Sequence, residues 1–357
     1  VGPGTPCGEL LRRYWHPVGT WQDLTAEKPT KRVRLLGENF VLYKGEDGSH
    51  HLIAEHCAHR GVSLYYGFVE GCSIRCAYHG WLYGEDGHII EQPFEPKESM
   101  MKHTVRLPSY PVQKMRGLLF AYLGPLPAPL LPRWDVIARE DGTHKIEIHP
   151  LLEANWLQVQ ETNIDPTHNT YLHDGWRHRL GQIPEFRFRP IDLDFEVCEW
   201  GIVKRRKFGG EDGYREEGHP ALIPNMLRHS QGRCPIDLFW RVPTDDMHTQ
   251  IFWLGFKPSP DGSIEAVEDP PVEHIELKDE NGEFHMRSFP SQDAMAWETQ
   301  GPIRDRKLEH LGASDKGIAM FRQLLKQQID LVREGGDPMC VIRDPAKNQL
   351  ISFSASK

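Results

Sequence analysis

Two cysteines and two histidines sit in two short loops, Cys57-x-His59 and, sixteen residues on, Cys76-x-x-His79. Pairs this close let both side chains of one loop face a single centre. Two thiolates and two imidazoles could hold zinc tetrahedrally. They could equally hold a [2Fe–2S] cluster, with the cysteines on one iron and the histidines on the other. Zinc sites usually pair Cys with Cys and His with His, so one Cys and one His per loop favours the cluster. The plainer alternative, a cysteine-bearing hairpin with surface histidines, leaves the paired spacing to coincidence. Neutral imidazoles in place of anionic thiolates would raise the cluster's potential into the range of about −150 to +300 mV. Cys72 falls outside both pairs and reads as buried packing; alternation along a strand turns His56 away from the centre. A second constellation is Asp165-x-x-His168-x4-His173 in "ETNIDPTHNTYLH". Two imidazoles at this spacing can share one metal if the helix is locally irregular, as Pro166 would make it. A non-haem Fe(II) triad needs two histidines and one carboxylate, with positions left open for O₂. Asp165 is the nearest carboxylate, although nearness in sequence does not make it a ligand.

Residues 31–54 read as strands ("RVRLL", "NFVLYKG", "HHLIAEH") joined by an Asp-Gly turn, and a second Asp-Gly turn follows in "WLYGEDGHII". The run "GLLFAYLG" at 117–124 reads as a buried strand. "GPLPAPLLPRW" then marks a stiff crossing and a domain boundary. Beyond it, "EANWLQVQ" is helical, and 185–207 and 236–257 are rich in strand formers. "FWRVPTDDMHTQIFWLGF" is expected to form two strands around a polar turn. The stretch 258–292, polar and rich in Pro and Gly, is a candidate lid over a pocket. Ile318, Phe321, Leu324, Leu325, Ile329 and Val332 define an amphipathic helix ending at Gly335.

The chain has 357 residues, enough for two domains, with 39% hydrophobic, 26% charged and 10% aromatic residues and a formal charge of −9. That balance argues against nucleic acid as a partner. No apolar run is long enough to span a bilayer, and no secretory leader is visible, so no membrane association and a cytoplasmic location are expected. Val1 rather than Met opens the sequence, which leaves the native start open. Seven scattered cysteines are not a disulfide framework.

The ligand loops, with Arg60-Gly61 after the first pair and Gly80-Trp81 after the second, resemble the Rieske motif. Together with Asp165-x-x-His168-x4-His173, nearly the whole chain is similar to the oxygenase component of Rieske non-haem iron oxygenases. "GPGTPCGELLRRYWHPV" and "QDAMAWETQGPIRDRKLEHLGASDKGI" resemble the phthalate 4,5-dioxygenase-like branch. Respiratory Rieske carriers have an extra cysteine in each ligand box and a membrane anchor; this sequence shows neither beside His59 or His79. The resemblance implies an α+β chain. An N-terminal all-β Rieske [2Fe–2S] domain would span 15–124, and a helix-grip catalytic domain with an antiparallel sheet and C-terminal helices would span 125–357 with 1–14.

The resemblance further implies Cys57, His59, Cys76 and His79 on the cluster, and His168 and His173 on a mononuclear Fe(II). Asp293 is then the third iron ligand, with Asp305 and Glu298 as rivals. Asp165 becomes an inter-subunit electron-transfer bridge to a Rieske histidine, His79 being favoured, in a homotrimer or a hexamer stacked from two. The implied activity is O₂-dependent dihydroxylation or monooxygenation of an aromatic, carboxylated substrate. O- or N-demethylation is the alternative within the family. No G-x-G-x-x-G is present, so electrons must come from a separate flavin/iron–sulfur reductase or ferredoxin. Candidate carboxylate-binding arginines are Arg187, Arg189, Arg205, Arg206 and Arg241. Trp156, Phe252 and Trp253 line a pocket or, more simply, pack a core. Two further readings remain, an electron-transfer Rieske protein without mononuclear iron and a zinc-stabilised binding module. Metal and sulfide analysis separates them, since only the oxygenase holds about three iron and two sulfide per chain.

Overall fold

The computed structural model describes residues 1–96, 98–210, 213–230 and 234–353. The first strands are β1 (Trp15–Thr20), β2 (Thr30–Leu35), β3 (Glu38–Lys44) and β4 (His50–Ala54). Then come β5 (Phe68–Glu70), β6 (Ser73–Arg75), β7 (Leu82–Tyr83) and β8 (Ile89–Glu91), followed by β9 (Ser109–Met115) and β10 (Leu118–Tyr122). They form a six-stranded sheet in the order β1-β10-β9-β4-β3-β2 and a four-stranded sheet β5-β6-β7-β8. The β2–β3 and β9–β10 hairpins turn on Leu36-Gly37 and Arg116-Gly117, with positive φ at both residues of each pair. That is the twist a two-residue hairpin favours, and Gly accepts it without a Cβ penalty. The Cys57 loop leaves β4, and the Cys76 loop joins β6 to β7.

The chain then crosses through 124–134, which runs beside the C-terminal segment: Leu130 N–H donates to Ile342 O and Ile351 N–H to Arg133 O. The second large sheet uses β11 (Gly142–Ile148), β12 (Asp192–Cys198), β13 (Gly201–Gly210) and β14 (Gly213–Leu222). It is completed by β15 (Met226–Ser230), β16 (Ile236–Pro243), β17 (Thr249–Pro258) and β18 (Val272–His274). The order is β12-β13-β14-β15-β16-β17-β11-β18, antiparallel except for the parallel β11–β18 pair. The expected polar turn between β16 and β17 is Thr244–His248, where Asp245 Oδ1 accepts from the backbone N–H of Met247 and His248. The helix Lys316–Arg333 buries Phe321, Leu324, Leu325 and Val332 against this sheet, with Ile318 and Ile329 at its margin. Gly335 ends it at φ 87°. The helices Trp156–Thr162 and Phe289–Glu298 flank the site described below. One apolar core runs from Leu10, Phe40 and Leu118 to Ile146, Leu254 and Phe321. The fold is mixed α+β, as expected. Among the described residues no helix is long and apolar enough to cross a membrane.

Three expectations change. Cys72 is not core packing: it is half-exposed on the β5–β6 turn, and its Sγ lies 3.2 Å from Asp47 Oδ2. The stretch 258–292 is not a free lid. Its β18 adds to the sheet edge, Leu277 and Met286 are buried, and Ser291 Oγ donates to Leu277 O at 2.6 Å. Trp253 belongs to none of the hydrophobic core clusters and lines a cavity, whereas Trp156 and Phe252 pack in the core.

Candidate active site

The two cysteine–histidine loops converge. Cys57 and Cys76 are buried among Val41, Tyr43, Ile53 and Trp81. The Cys57 and Cys76 side chains adjoin, and burial pushes the Cys76 thiol up. Their histidines face outward: His59 is exposed and His79 half-exposed, with ring centroids 4.5 Å apart. Trp81 stacks on His59 at 4.7 Å and an interplanar angle of 7°, fixing that ring. His56 points away, its Nδ1 on Gly61 O at 3.0 Å. Tyr83, which no sequence motif marks, places its hydroxyl 3.0 Å from Cys57 Sγ, where it accepts from Ala58 N–H at 3.0 Å. A thiolate pair shielded from water beside an imidazole pair at the surface matches the donor arrangement of a cluster with unlike irons.

The second constellation also assembles. After the helix Trp156–Thr162, the chain turns at Asp165-Pro166 and enters a π-helix over Asn169–Asp174, capped by His168. On an α-helix, residues five apart are about 140° out of phase. The i→i+5 bonding of a π turn brings them back towards one face, which is how His168 and His173 come together. Their ring centroids are 5.2 Å apart. Asp293 arrives from the helix Phe289–Glu298, its Oδ1 3.3 Å from His173 Nε2. One ligand atom from each of His168, His173 and Asp293 lies within 4.8 Å of the others.

This donor set fits a divalent iron. Asp293 Oδ1 is buried and makes no hydrogen bond among the described residues. Each histidine has its far nitrogen occupied: His168 Nδ1 meets Asp165 Oδ2 at 3.2 Å, and His173 Nδ1 meets Gln292 Oε1 at 2.8 Å. Such partners fix the tautomer and turn Nε2 towards the metal position, where His168 Nε2 otherwise meets Asn169 Nδ2 at 3.4 Å. Gln292 is fully buried and anchored by donating to Met286 O at 2.9 Å, and in the sequence it is marked by nothing but its place beside Asp293. The rivals are engaged elsewhere: Glu298 pairs with Lys278 at 2.7 Å, and Asp305 caps the turn at Lys307.

Asp165 sits just behind His168. Burial works to raise its carboxyl, but hydrogen bonds from His168 and from the Thr167 N–H and hydroxyl prevail and hold it well below the usual range. Lys204 Nζ donates to the Asp165 carbonyl at 3.0 Å, and burial lowers its pKa to about 7.

A cavity of ≈ 420 Å³ opens beside the triad, within the size range of small-molecule pockets. Phe188, Phe239, Trp253 and Trp297 supply aromatic wall, and Phe289 and Pro290 close one side. Lys204, Arg206 and Arg241, all buried, bring cationic groups to the same cavity. Arg241 is 5% exposed, and its Nε and Nη1 make no hydrogen bond among the described residues. Burial lowers its pKa to about 9, with Asp293 pulling the other way. Arg187 and Arg189 are exposed, and Arg205 pairs with Glu196 at 3.1 Å; none of the three lines this cavity. Lys204, not among the expected cations, does.

Residues 14–111 match the family description Rieske [2Fe-2S] domain, and residues 277–356 match LigXa C-terminal domain like. The 5,5'-dehydrodivanillate O-demethylase oxygenase subunit of a Sphingobium species is 40% identical over 98% of this chain and 83% of its own length. The phenoxybenzoate dioxygenase subunit alpha of Ectopseudomonas oleovorans is 36% identical over 95% of this chain and 85% of its own. Among solved structures, the terminal oxygenase of carbazole 1,9a-dioxygenase from Nocardioides aromaticivorans superposes with a TM-score of 0.68. That match covers 92% of this chain and 98% of the other at 20% identity, a likeness of fold.

Proposed function

The chain belongs to the Rieske non-haem iron oxygenases as a terminal oxygenase subunit, and from that premise we propose that it oxidises an anionic, methoxylated aromatic acid by O-demethylation. Cys57, His59, Cys76 and His79 hold the [2Fe–2S] cluster; His168, His173 and Asp293 hold the mononuclear Fe(II). When bound, these centres supply electron delivery and O₂ activation.

The chain's own groups do the rest. Asp165 and Gln292 hold the two ligand histidines in one tautomer. The aromatic wall orients the ring and excludes water. Arg241 takes the substrate carboxylate through the N–H groups that are otherwise unpaired, with Lys204 and Arg206 adding positive potential. That buried, underused guanidinium is the observation carrying the substrate class. Removing it from water costs energy that an anionic ligand offsets. A methyl ether, O₂, two electrons and two protons then give a hydroxymethyl ether and water, and the former collapses to a phenol and formaldehyde. The 40% identical relative is named as an O-demethylase, which favours this outcome. The 36% identical relative, named as a phenoxybenzoate dioxygenase, favours ring dihydroxylation of an aromatic acid as the second reading.

Asp165 also reaches the partner subunit's His79 in a head-to-tail trimer, a closed heterologous ring in which the outward-facing imidazole edge of one protomer meets the carboxylate behind His168 of the next. Electrons enter from a separate ferredoxin or reductase. The test pairs methoxylated aromatic acids with their methyl esters in the reconstituted system, following formaldehyde and diol. Acids should turn over to formaldehyde, and Arg241→Leu should raise their KM by ~10-fold or more while esters change little. Equal loss for acid and ester, or no oxidation of acids, refutes the assignment.

A further inference from the structure

In two hairpins that supply none of the residues assigned to this chemistry, three more donors meet. Asp47 and His51 come from the β3–β4 hairpin, and Cys72 comes from the β5–β6 turn. One ligand atom from each lies within 4.8 Å of the other two. Cys72 Sγ is 3.2 Å from Asp47 Oδ2. Ser49 Oγ sits among them, 2.5 Å from Asp47 Oδ1, 2.6 Å from His51 Nε2 and 3.8 Å from Cys72 Sγ. We infer that Asp47, His51 and Cys72 form a binding site for a divalent cation of the zinc class, separate from both iron centres.

The donor chemistry selects the ion. A thiolate, an imidazole and a carboxylate are a zinc set, whereas calcium and magnesium demand oxygen ligands. Three protein ligands leave a fourth position for water or for the Ser49 hydroxyl. The frame is already built. Glu46 N–H donates to Gly71 O at 3.0 Å and Tyr43 Oη to Cys72 O at 3.0 Å, so the two hairpins are held in place before any metal arrives. The Tyr43 ring packs on His51 with centroids 5.0 Å apart, limiting its rotation. Glu85 Oε2 lies 3.9 Å from His51 Nδ1, on the side away from the other donors, where ligand histidines commonly find a carboxylate. The donors are only partly buried, so the ion can reach them from solvent. A bound cation would tie the six-stranded sheet to the four-stranded sheet at a point four residues before Cys76.

The experiment uses the iron-replete protein, equilibrated with excess zinc chloride, desalted, and analysed for zinc, iron and sulfide. About one zinc per chain should be retained above the iron content. Cys72→Ser and His51→Ala should each lose it with iron and sulfide unchanged. Asp47→Asn serves in place of either that fails to fold. His168→Ala should keep the zinc. Wild type retaining none, either ligand variant retaining it as wild type does, or His168→Ala losing it overturns the inference.

Discussion

Replacing Tyr83 with Phe should lower the reduction potential of the [2Fe–2S] cluster by ~40 mV. Tyr83 is fully buried, and burial together with its contact to Cys57 pushes its ionisation up, so it remains a protonated phenol. The backbone N–H of Ala58 can only donate, so the phenol oxygen accepts there and its own proton is left for Cys57 Sγ. A hydrogen bond to a charged acceptor is worth about 1.5–3 kcal/mol. The added electron makes the sulfur a stronger acceptor, and only the difference between oxidation states moves the potential. If about 1 kcal/mol of the bond is redox-dependent, the shift is ~40 mV, since 1.36 kcal/mol corresponds to 59 mV for one electron. The sign follows because the bond favours the more negative, reduced state. The assay is a redox titration of the visible or paramagnetic cluster signal in wild type and Tyr83→Phe at equal iron and sulfide content. A potential that stays put or rises, with the cluster intact, would refute the reasoning.

Asp293→Ala should lose about one iron per chain and all turnover while the cluster spectrum stays, checked by iron and sulfide analysis. Asp165→Asn should keep both metals yet slow turnover ~100-fold or more, with reduced cluster accumulating in stopped flow. His16 and His144, both buried, have pKa values pushed down to about 4, chiefly by burial. Their folded-state pKa lies below the ordinary 6.5, so the unfolded chain takes up protons first as the medium acidifies. Stability should therefore be lost as pH falls from about 6.5 towards 4, by up to ~3 kcal/mol per histidine, and His16→Gln should flatten a urea-midpoint profile.

The features legible in the sequence were those whose parts lie close along it. Paired ligands two and three residues apart announce a loop site, and Pro166 announces that the helix bearing His168 and His173 could not be regular. Asp293, brought 120 residues across the chain, was reachable only through resemblance, and its neighbour Gln292 says nothing until His173 is seen against it. Cys72 reads as packing because a lone cysteine usually is, whereas a two-residue hairpin turn leaves no room to bury it. Trp253 shows the limit of composition: the sequence can say that a tryptophan is covered, but not whether protein or a ligand space covers it. Alternation could have gone further. Lys204 and Arg206 are two apart on β13 and share a face, while Arg205 between them points to Glu196.

The path of the first fourteen residues carries one more consequence. The helix Pro6–Leu11 lies on the long C-terminal helix, and Tyr14 Oη donates to Met339 O at 2.9 Å. Trp15 then pairs directly with Tyr122 across β1 and β10. The stretch from 15 to 122 thus leaves and rejoins the rest of the chain at neighbouring points, and it is stitched to the second sheet again further along, where Leu36 N–H donates to Pro243 O at 3.1 Å and Gly37 N–H to Thr244 O at 2.7 Å. Such a layout makes the electron-storing portion and the oxidising one share a single apolar core, so a change in the packing of one is felt in the other. It also means that severing the chain at the proline crossing would leave the two portions held together by that core and by the amino-terminal helix lying on the carboxy-terminal one.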